Sequence, residues 1–400
     1  MEHALKYNFP CPIGYLVVER RFSLSLLAVF TACFSALVLT PANPSHALKM
    51  HTKAPHAIVY ELGSDTVLFE HDADTAVHPS SMSKLMTLYL VFQHLNAGVI
   101  KMDDTFSVSE SAWKRGGSSA FLKVGQAVTV SDLIRGVAVS SGNDACIVLS
   151  EGVSGSQEQF VEDMNALARE LNMGSSNFTN VTGWPDDEHV MSVRDILTVS
   201  VRIFEDFPEY YHVFGEKQFT YNGVTQKNYN TLLNYNMGVD GIKTGHTEKA
   251  GYGIAASAAR DNRRIFVVVN GLRTETERAY ETKRLFLYAF NRFETRVIFP
   301  AGSTIGEVKV LNGKSRVIPM YVRDDIVISY PRDLSKNVKA FVSHKSKVAA
   351  PVKKDQEVGT LSIQVPGMAE RVFPVYSAKD VKALGPVRSF FRSLYDIIFH

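Results

Sequence analysis

Two apolar runs held apart by only two residues constrain this chain more than any other feature. GYGIAASAAR (Gly251–Arg260) and RRIFVVVNGL (Arg263–Leu272) flank Asp261-Asn262, and a two-residue polar turn between apolar runs closes an antiparallel hairpin. A second strand-like pair stands early: HAIVYEL (56–62) and TVLFEH (66–71), joined by Gly63-Ser64-Asp65. A helix is expected over about 81–96, SMSKLMTLYLVFQHLN, ended by Gly98. Residues 107–215 carry further helical periods in DLIRGVAVSS, DACIVLSEGV, QEQFVEDMNALARELN and SVRDILTVSVRIFEDF. A long amphipathic helix is expected over about 275–293. Strands at both ends with helices between predict one α/β domain with a helical insertion.

Outside that segment the pattern changes. Arg20 and Arg21 precede an apolar run at 22–40, then PANPSHA with Ser45 and Ala47 at small-residue positions. This is the layout of a secretory leader, expected over 1–47 with cleavage after Ala47. Of the 3 Cys, Cys11 and Cys33 fall within it, leaving Cys146 as the one thiol of an exported chain without disulfides. The catalytic candidate then spans 48–296. From 300 to 376 short β-rich runs (VKVLNGKSRVIPMYV, DIVISYP, VKAFVSH, GTLSIQV, RVFPVY) predict a small all-β domain with no acid–base cluster. Over 381–400, Val387, Phe390, Phe391, Leu394, Ile397 and Ile398 recur at helical spacing opposite Arg388, Ser389, Arg392, Ser393 and Asp396. Such a helix is too short to span a bilayer but suits its interface, which predicts peripheral attachment to a membrane surface. A net charge of +2 without a basic block argues against nucleic acid as a partner. No HExxH pair or zinc spacing appears among the 12 His and 3 Cys, so no metal and no cofactor is expected.

The chemistry lies in three short motifs in order: Ser81-Met82-Ser83-Lys84, Ser141-Gly142-Asn143 and Lys243-Thr244-Gly245. Singly they are weak, since SxxK recurs at Ser111/Lys114 and SxN at Ser175/Asn177. The ordered set is the signal. Ser81 is expected at a helix N-terminus, where free N–H groups and the dipole favour a developing anion. Lys84 follows one turn on, along the same face. A serine hydroxyl needs a neighbouring base. A lysine of ordinary pKa, ~10.4, is only about 0.04% neutral at pH 7, so the site must depress it. Burial and a second cation, Lys243, would do so. KTG, next to a strand, suits an extended peptide.

HPSSMSKLMT, VSSGNDACIVLSEGVSGSQEQFVEDMN and VDGIKTGHTEKAGYGIAASAAR resemble the active-site blocks of low-molecular-mass penicillin-binding proteins, the serine-type D-alanyl-D-alanine carboxypeptidases. The likeness runs from about Lys53 to the C-terminus and implies an α/β, β-lactamase/transpeptidase-like domain with an antiparallel sheet flanked by helices, then a small all-β domain and a C-terminal amphipathic helix. It implies Ser81 as acylated nucleophile, Lys84 as its base and Ser141 as proton relay. Asn143 would bind a substrate amide, Lys243 supply positive charge and Thr244 meet the terminal carboxylate. Gly245 completes that motif, while backbone N–H groups of Ser81 and His246 would form the oxyanion hole. Arg278 matches the family arginine at the carboxylate subsite, with Arg273 nearby as a competitor. Tyr229, in Asn228-Tyr229-Asn230, stands where the family often has a basic residue. The implied partners are peptidoglycan pentapeptides and β-lactams, and the implied location is periplasmic, at the inner membrane.

Three rivals remain. A class A β-lactamase needs a Glu with Asn four residues on between SxN and KTG, and none occurs. A D,D-endopeptidase of the same fold shares every motif. A non-catalytic peptidoglycan-binding or cell-shape protein is disfavoured by three intact motifs. Cys146 reads as a core residue of its helix, Trp113 and Trp184 as core or rim packing, and Gly116-Gly117-Ser118-Ser119 as a mobile loop beside the site.

Overall fold

The computed structural model describes residues 17–20 and 50–391, which fall into two compact units. One is Lys49–Phe293; the other holds the described residues from Glu294 onward together with 17–20.

The first unit is built on a five-stranded antiparallel sheet of β1 (His56–Glu61), β2 (Thr66–His71), β3 (Val239–Thr247), β4 (Gly251–Arg260) and β5 (Arg263–Leu272), ordered β2-β1-β5-β4-β3. Both expected hairpins form, and in the later one Arg263 lies opposite Arg260. Asp261 and Asn262 take φ of 52° and 59°, the left-handed pair that a type I′ turn requires and that Asp and Asn tolerate. The extent of β3 is a difference from the sequence reading, which placed KTG just ahead of the hairpin. It lies inside a nine-residue edge strand. Gly241 to Gly245 are all buried, so no polar–apolar alternation marks the strand.

Seven helices are described in this unit: α1 (Lys84–Asn96), α2 (Glu110–Lys114), α3 (Val130–Ala138), α4 (Asn143–Ser154), α5 (Gln157–Glu170), α6 (Val193–Asp206) and α7 (Glu275–Arg292). Ser109, Thr129, Ser156, Ser192 and Thr274 each cap one, accepting an N–H three residues on. α1 is apolar nearly all round and sits in the middle of the core, with Leu85, Met86, Leu88, Val91 and Phe92 fully buried. Phe266 and Val268 of β5 join that helical core. Ile265, Val267 and Val269 alternate to the other face, where α7 packs on β5 through its buried Leu285, Phe286 and Ala289 side. Burial on both faces explains why RRIFVVVNGL is a continuous apolar run.

The edge strand is pinned at its start. Arg264 reaches Asp240 with two nitrogens, at 3.0 and 2.7 Å, and donates to Ser257 at 2.7 Å. The guanidinium also stacks over Phe204 at 4.1 Å. These contacts tie β3, β4, β5 and α6 together upstream of KTG.

In the second unit, a seven-stranded sheet runs, in spatial order, 17–20, Lys339–His344, Glu357–Gln364, Arg371–Ser377, Val317–Tyr321, Thr304–Leu311 and Lys347–Ala349. A separate pair joins Phe293–Phe299 to Ile326–Pro331. Its own core includes Val308, Ile318, Met320, Ala340, Leu361 and Val375. Residues 386–391 open a helix with Val387, Phe390 and Phe391 exposed; the rest of the expected terminal helix lies outside the described residues. So does the expected leader, apart from the short strand at 17–20. Among the described residues no helix is long and apolar enough to cross a membrane.

Candidate active site

Ser81 lies at the entry to α1, but in a different local form from the one expected. Ser80–Ser83 make a 3-10 turn and the α-helix begins at Lys84. Ser80 takes φ 51°, a left-handed residue that turns the chain sharply into the helix and marks local strain. The hydroxyl of Ser81 accepts from Lys84 Nζ at 2.9 Å, and the same amine donates to the Thr182 carbonyl at 2.5 Å. Lys84 is completely buried beside Met82 and Leu85. Burial is the main reason its pKa falls from 10.5 to about 8; the guanidinium of Arg115 pushes the same way. The sequence named Lys243 as the depressing cation, so Arg115 is a residue it missed.

Ser141 is 2% exposed, has φ 57° and precedes Gly142 at the start of α4. Its hydroxyl accepts from Lys243 Nζ at 3.0 Å, which also donates to the Thr244 carbonyl at 3.1 Å. Lys243 is held well below the ordinary lysine value, first by burial and then by the Lys84 ammonium, with Arg278 adding to it. Repulsion between the two amines is mutual, and a dry pocket disfavours protonating both. Asn143 donates its amide to Gly116 O at 2.9 Å, while its backbone N–H reaches Ser118 O at 2.8 Å. Asp144 holds the same loop, accepting from Ser119 Oγ at 2.6 Å and Ala120 N at 2.8 Å. These bonds strap the Gly116–Ser119 segment to the start of α4.

Gly245 brings β3 against the Ser81 turn. A Cβ there would fall 2.7 Å from Pro79 O and 3.2 Å from Met82 N, so only glycine permits this approach. Thr244 is nearly buried and His246 exposed, its ring stacked on Tyr252 at 3.8 Å. As β3 is an edge strand, its outward N–H and C=O groups are open to a further strand. Arg278 stands on α7, 4% exposed, donating to Tyr229 O at 3.1 Å and Glu275 at 3.0 Å, with Tyr252 at 5.8 Å. Its effect on Lys243 places it at the same corner. Tyr229 contributes its carbonyl here, and Asn230 binds Gly241 O at 2.9 Å, so Asn228-Tyr229-Asn230 shapes the corner without a cation. The nine residues singled out by sequence thus gather around Ser81 and the end of β3.

Thr182 went unnoticed because a carbonyl acceptor leaves no trace in residue type. Cys146 is fully buried, with burial pushing its thiol up to about 11, as suits a core residue. Trp113 and Trp184 are 52% and 40% exposed, so neither packs in the core. Among the described residues no cluster of three or more His, Cys, Asp and Glu is arranged to hold a metal.

Comparison with known proteins agrees with this arrangement. A family model described as D-alanyl-D-alanine carboxypeptidase matches residues 41–274, and one described as the penicillin-binding protein 5 C-terminal domain matches 293–383. The D-alanyl-D-alanine carboxypeptidase DacA of Escherichia coli K12 is 36% identical over 93% of this chain and 95% of its own. Penicillin binding protein 5 from Haemophilus influenzae superposes with a TM-score of 0.77 at 34% identity, covering 83% of this chain and 98% of its own. Penicillin-binding protein D2 from Listeria monocytogenes, in its ampicillin-bound form, does so with 0.56 at 26% identity, over 60% of this chain and 99% of its own. With a hydroxyl–amine pair at the head of a buried helix, a serine–lysine pair beside it and these relatives along nearly its whole length, the chain belongs to the D-alanyl-D-alanine carboxypeptidase family.

Proposed function

We propose that this chain is a serine-type carboxypeptidase that removes the terminal D-alanine from peptidoglycan stem pentapeptides through an acyl-Ser81 intermediate. The observation that carries the reading is Lys84 Nζ, 2.9 Å from Ser81 Oγ and lowered to about pKa 8. An amine of that pKa is close to the working pH, where a general base is most effective.

In this reading the substrate lies along the open edge of β3, its terminal carboxylate toward Lys243, Thr244 and Arg278. Ser81 Oγ attacks the carbonyl of the penultimate D-alanine as its proton passes to Lys84 Nζ. The resulting oxyanion is held by the backbone N–H groups of Ser81 and His246. Ser141, bonded to Lys243, delivers a proton to the leaving amine, the C–N bond breaks and D-alanine departs. Water then cleaves the ester on Ser81. β-Lactams present a strained amide beside a carboxylate and acylate the same hydroxyl. We further infer export behind a leader at 1–47, a catalytic part at 48–296, a β-rich part at 300–376 and membrane-surface attachment through 381–400.

The test is twofold. A fluorescent penicillin should label the wild type and not Ser81→Ala; equal labelling removes Ser81 as nucleophile. Mass spectrometry of a pentapeptide digest should show loss of one D-alanine, whereas cleavage confined to cross-linked dimers would reassign the chain as an endopeptidase.

A further inference from the structure

Arg115 follows α2 in extended conformation, and its guanidinium carbon lies 4.5 Å from the centroid of the Trp184 ring. Stacking of this kind orients a guanidinium without neutralising it. Its Nε is buried and has no hydrogen-bond partner. Among the described residues no carboxylate pairs with it, and burial alone lowers its pKa with no nearby acid to offset the effect. A half-buried arginine left without a counter-charge is costly to hold. Other arginines packed around the sheet hold carboxylates: Arg194 holds Glu70 and Asp74, Arg263 holds Glu61, and Arg264 holds Asp240.

Its placement beside the catalytic groups is specific. Trp184 lies two residues beyond Thr182, whose carbonyl takes Lys84, and its N–H is fixed by Asn180 Oδ1 at 2.9 Å. The indole covers the glycines next to Arg115: a Cβ on Gly117 would stand 3.1 Å from the ring and 2.9 Å from Asn143 Nδ2. The pair therefore flanks Asn143, and Arg115 is close enough to Lys84 to lower its pKa. Arg278 stands on α7, and its charge acts on Lys243 instead.

We infer that Arg115, held on Trp184, is a specificity-determining residue that binds a free carboxylate on the side chain of the stem peptide's third residue. This rests on the proposed function, and takes the substrate amide bound by Asn143 to be the one joining that residue to the penultimate D-alanine. The side chain one residue farther along is then the group within reach of the loop that carries Arg115. A guanidinium fork takes a carboxylate in bidentate fashion, whereas a side-chain amide or an ammonium at that position gains much less or is repelled.

The experiment compares three pentapeptides ending in D-alanyl-D-alanine, with meso-diaminopimelate, its side-chain carboxamide or lysine at position three. Release of D-alanine is measured for wild type, Arg115→Gln and Arg115→Lys. All three peptides acylate the same Ser81, so any effect of Arg115 on Lys84 cancels in the ratio of their kcat/KM values. The wild type should favour the free carboxylate by roughly tenfold or more, the scale of one charge-assisted hydrogen bond. That ratio should fall close to one in Arg115→Gln and keep an intermediate value in Arg115→Lys. Penicillin labelling of Ser81 reports whether each variant is folded. An unchanged ratio in a labelled Arg115→Gln, or a wild type that shows no preference, overturns the inference and leaves the carboxypeptidase reading standing. A wild type that labels but releases D-alanine from none of the peptides overturns both.

Discussion

At the scale of single residues, the chemistry turns on how far a protein will go to keep an amine neutral. Lys84 works as a base only without its proton, so the acylation rate should rise with pH through about 8 and level off above it. Kcat/KM for D-alanine release, or the second-order rate of penicillin labelling, across pH 6–10 measures this, and a profile flat from 6 to 9 contradicts it. The same shift has a stability signature. The folded pKa lies below the unfolded one, so the unfolded chain holds the extra proton between about 8 and 10.5, and stability rises with pH in that window. Below pH 8 the full penalty applies, roughly 3 kcal/mol by the usual conversion. Relative to Lys84→Met, the wild type should therefore gain unfolding free energy between pH 8 and 10, read from urea curves of both proteins. Residue identity made Ser81, Lys84, Ser141, Asn143 and Lys243 legible from sequence because acyl transfer needs those functional groups in that order. It gave no sign of Thr182, which contributes a backbone oxygen, nor of Arg115, which adds to the repulsion on Lys84. Arg115 is brought to the site by a loop that no short motif marks.

At the scale of elements, the site is a matter of how closely one strand can approach one turn. Gly245 is the close point between β3 and the Ser81 turn, because a methyl group there would meet the Pro79 carbonyl first, then the Met82 amide and Cγ, and two of those three atoms are backbone. Gly245→Ala should therefore push β3 away from Ser81 rather than merely crowd it. A displacement of the order of 1 Å can cost about 100-fold in rate, and that is the expected loss in penicillin acylation. The fold should survive with an ordinary far-UV spectrum; acylation within threefold of wild type contradicts this account. The hairpins were readable from sequence because their turns need special backbone conformations, supplied in the later one by Asp261-Asn262. The helices were readable because Ser156 and Ser192 cap them ahead of periodic apolar faces. β3 was harder to delimit, since a strand buried from Gly241 to Gly245 loses its alternation. The short hairpin of Gln218–Tyr221 and Val224–Lys227 was missed because its strands are brief and mostly exposed, with little apolar pattern to read.

At the scale of the molecule, two separate cores divide the labour. The unit Lys49–Phe293 contains every residue assigned to catalysis, and the unit from Glu294 has a core of its own and none of them. At the described end of the second unit Val387, Phe390 and Phe391 are 69%, 66% and 65% exposed. Three large apolar side chains turned to water at successive helical positions are costly in isolation, and each gains about 1.5–3 kcal/mol on transfer to an apolar phase. The sequence continues the stripe with Leu394, Ile397 and Ile398, interleaved with Arg388 and Arg392. In the proposed attachment these side chains would meet the headgroup boundary of an anionic membrane, apolar burial supplying most of the affinity and the arginines a salt-sensitive remainder. The full chain without its leader should therefore sediment with vesicles of mixed neutral and anionic phospholipid, and a good part should remain bound in 0.5 M salt. Phe390→Glu together with Phe391→Glu should shift it to the supernatant. Penicillin acylation should stay within twofold, because neither residue belongs to the catalytic unit. Equal sedimentation of the double variant would mean that another surface makes the contact; a full chain left in the supernatant would show that this helix docks on protein rather than lipid.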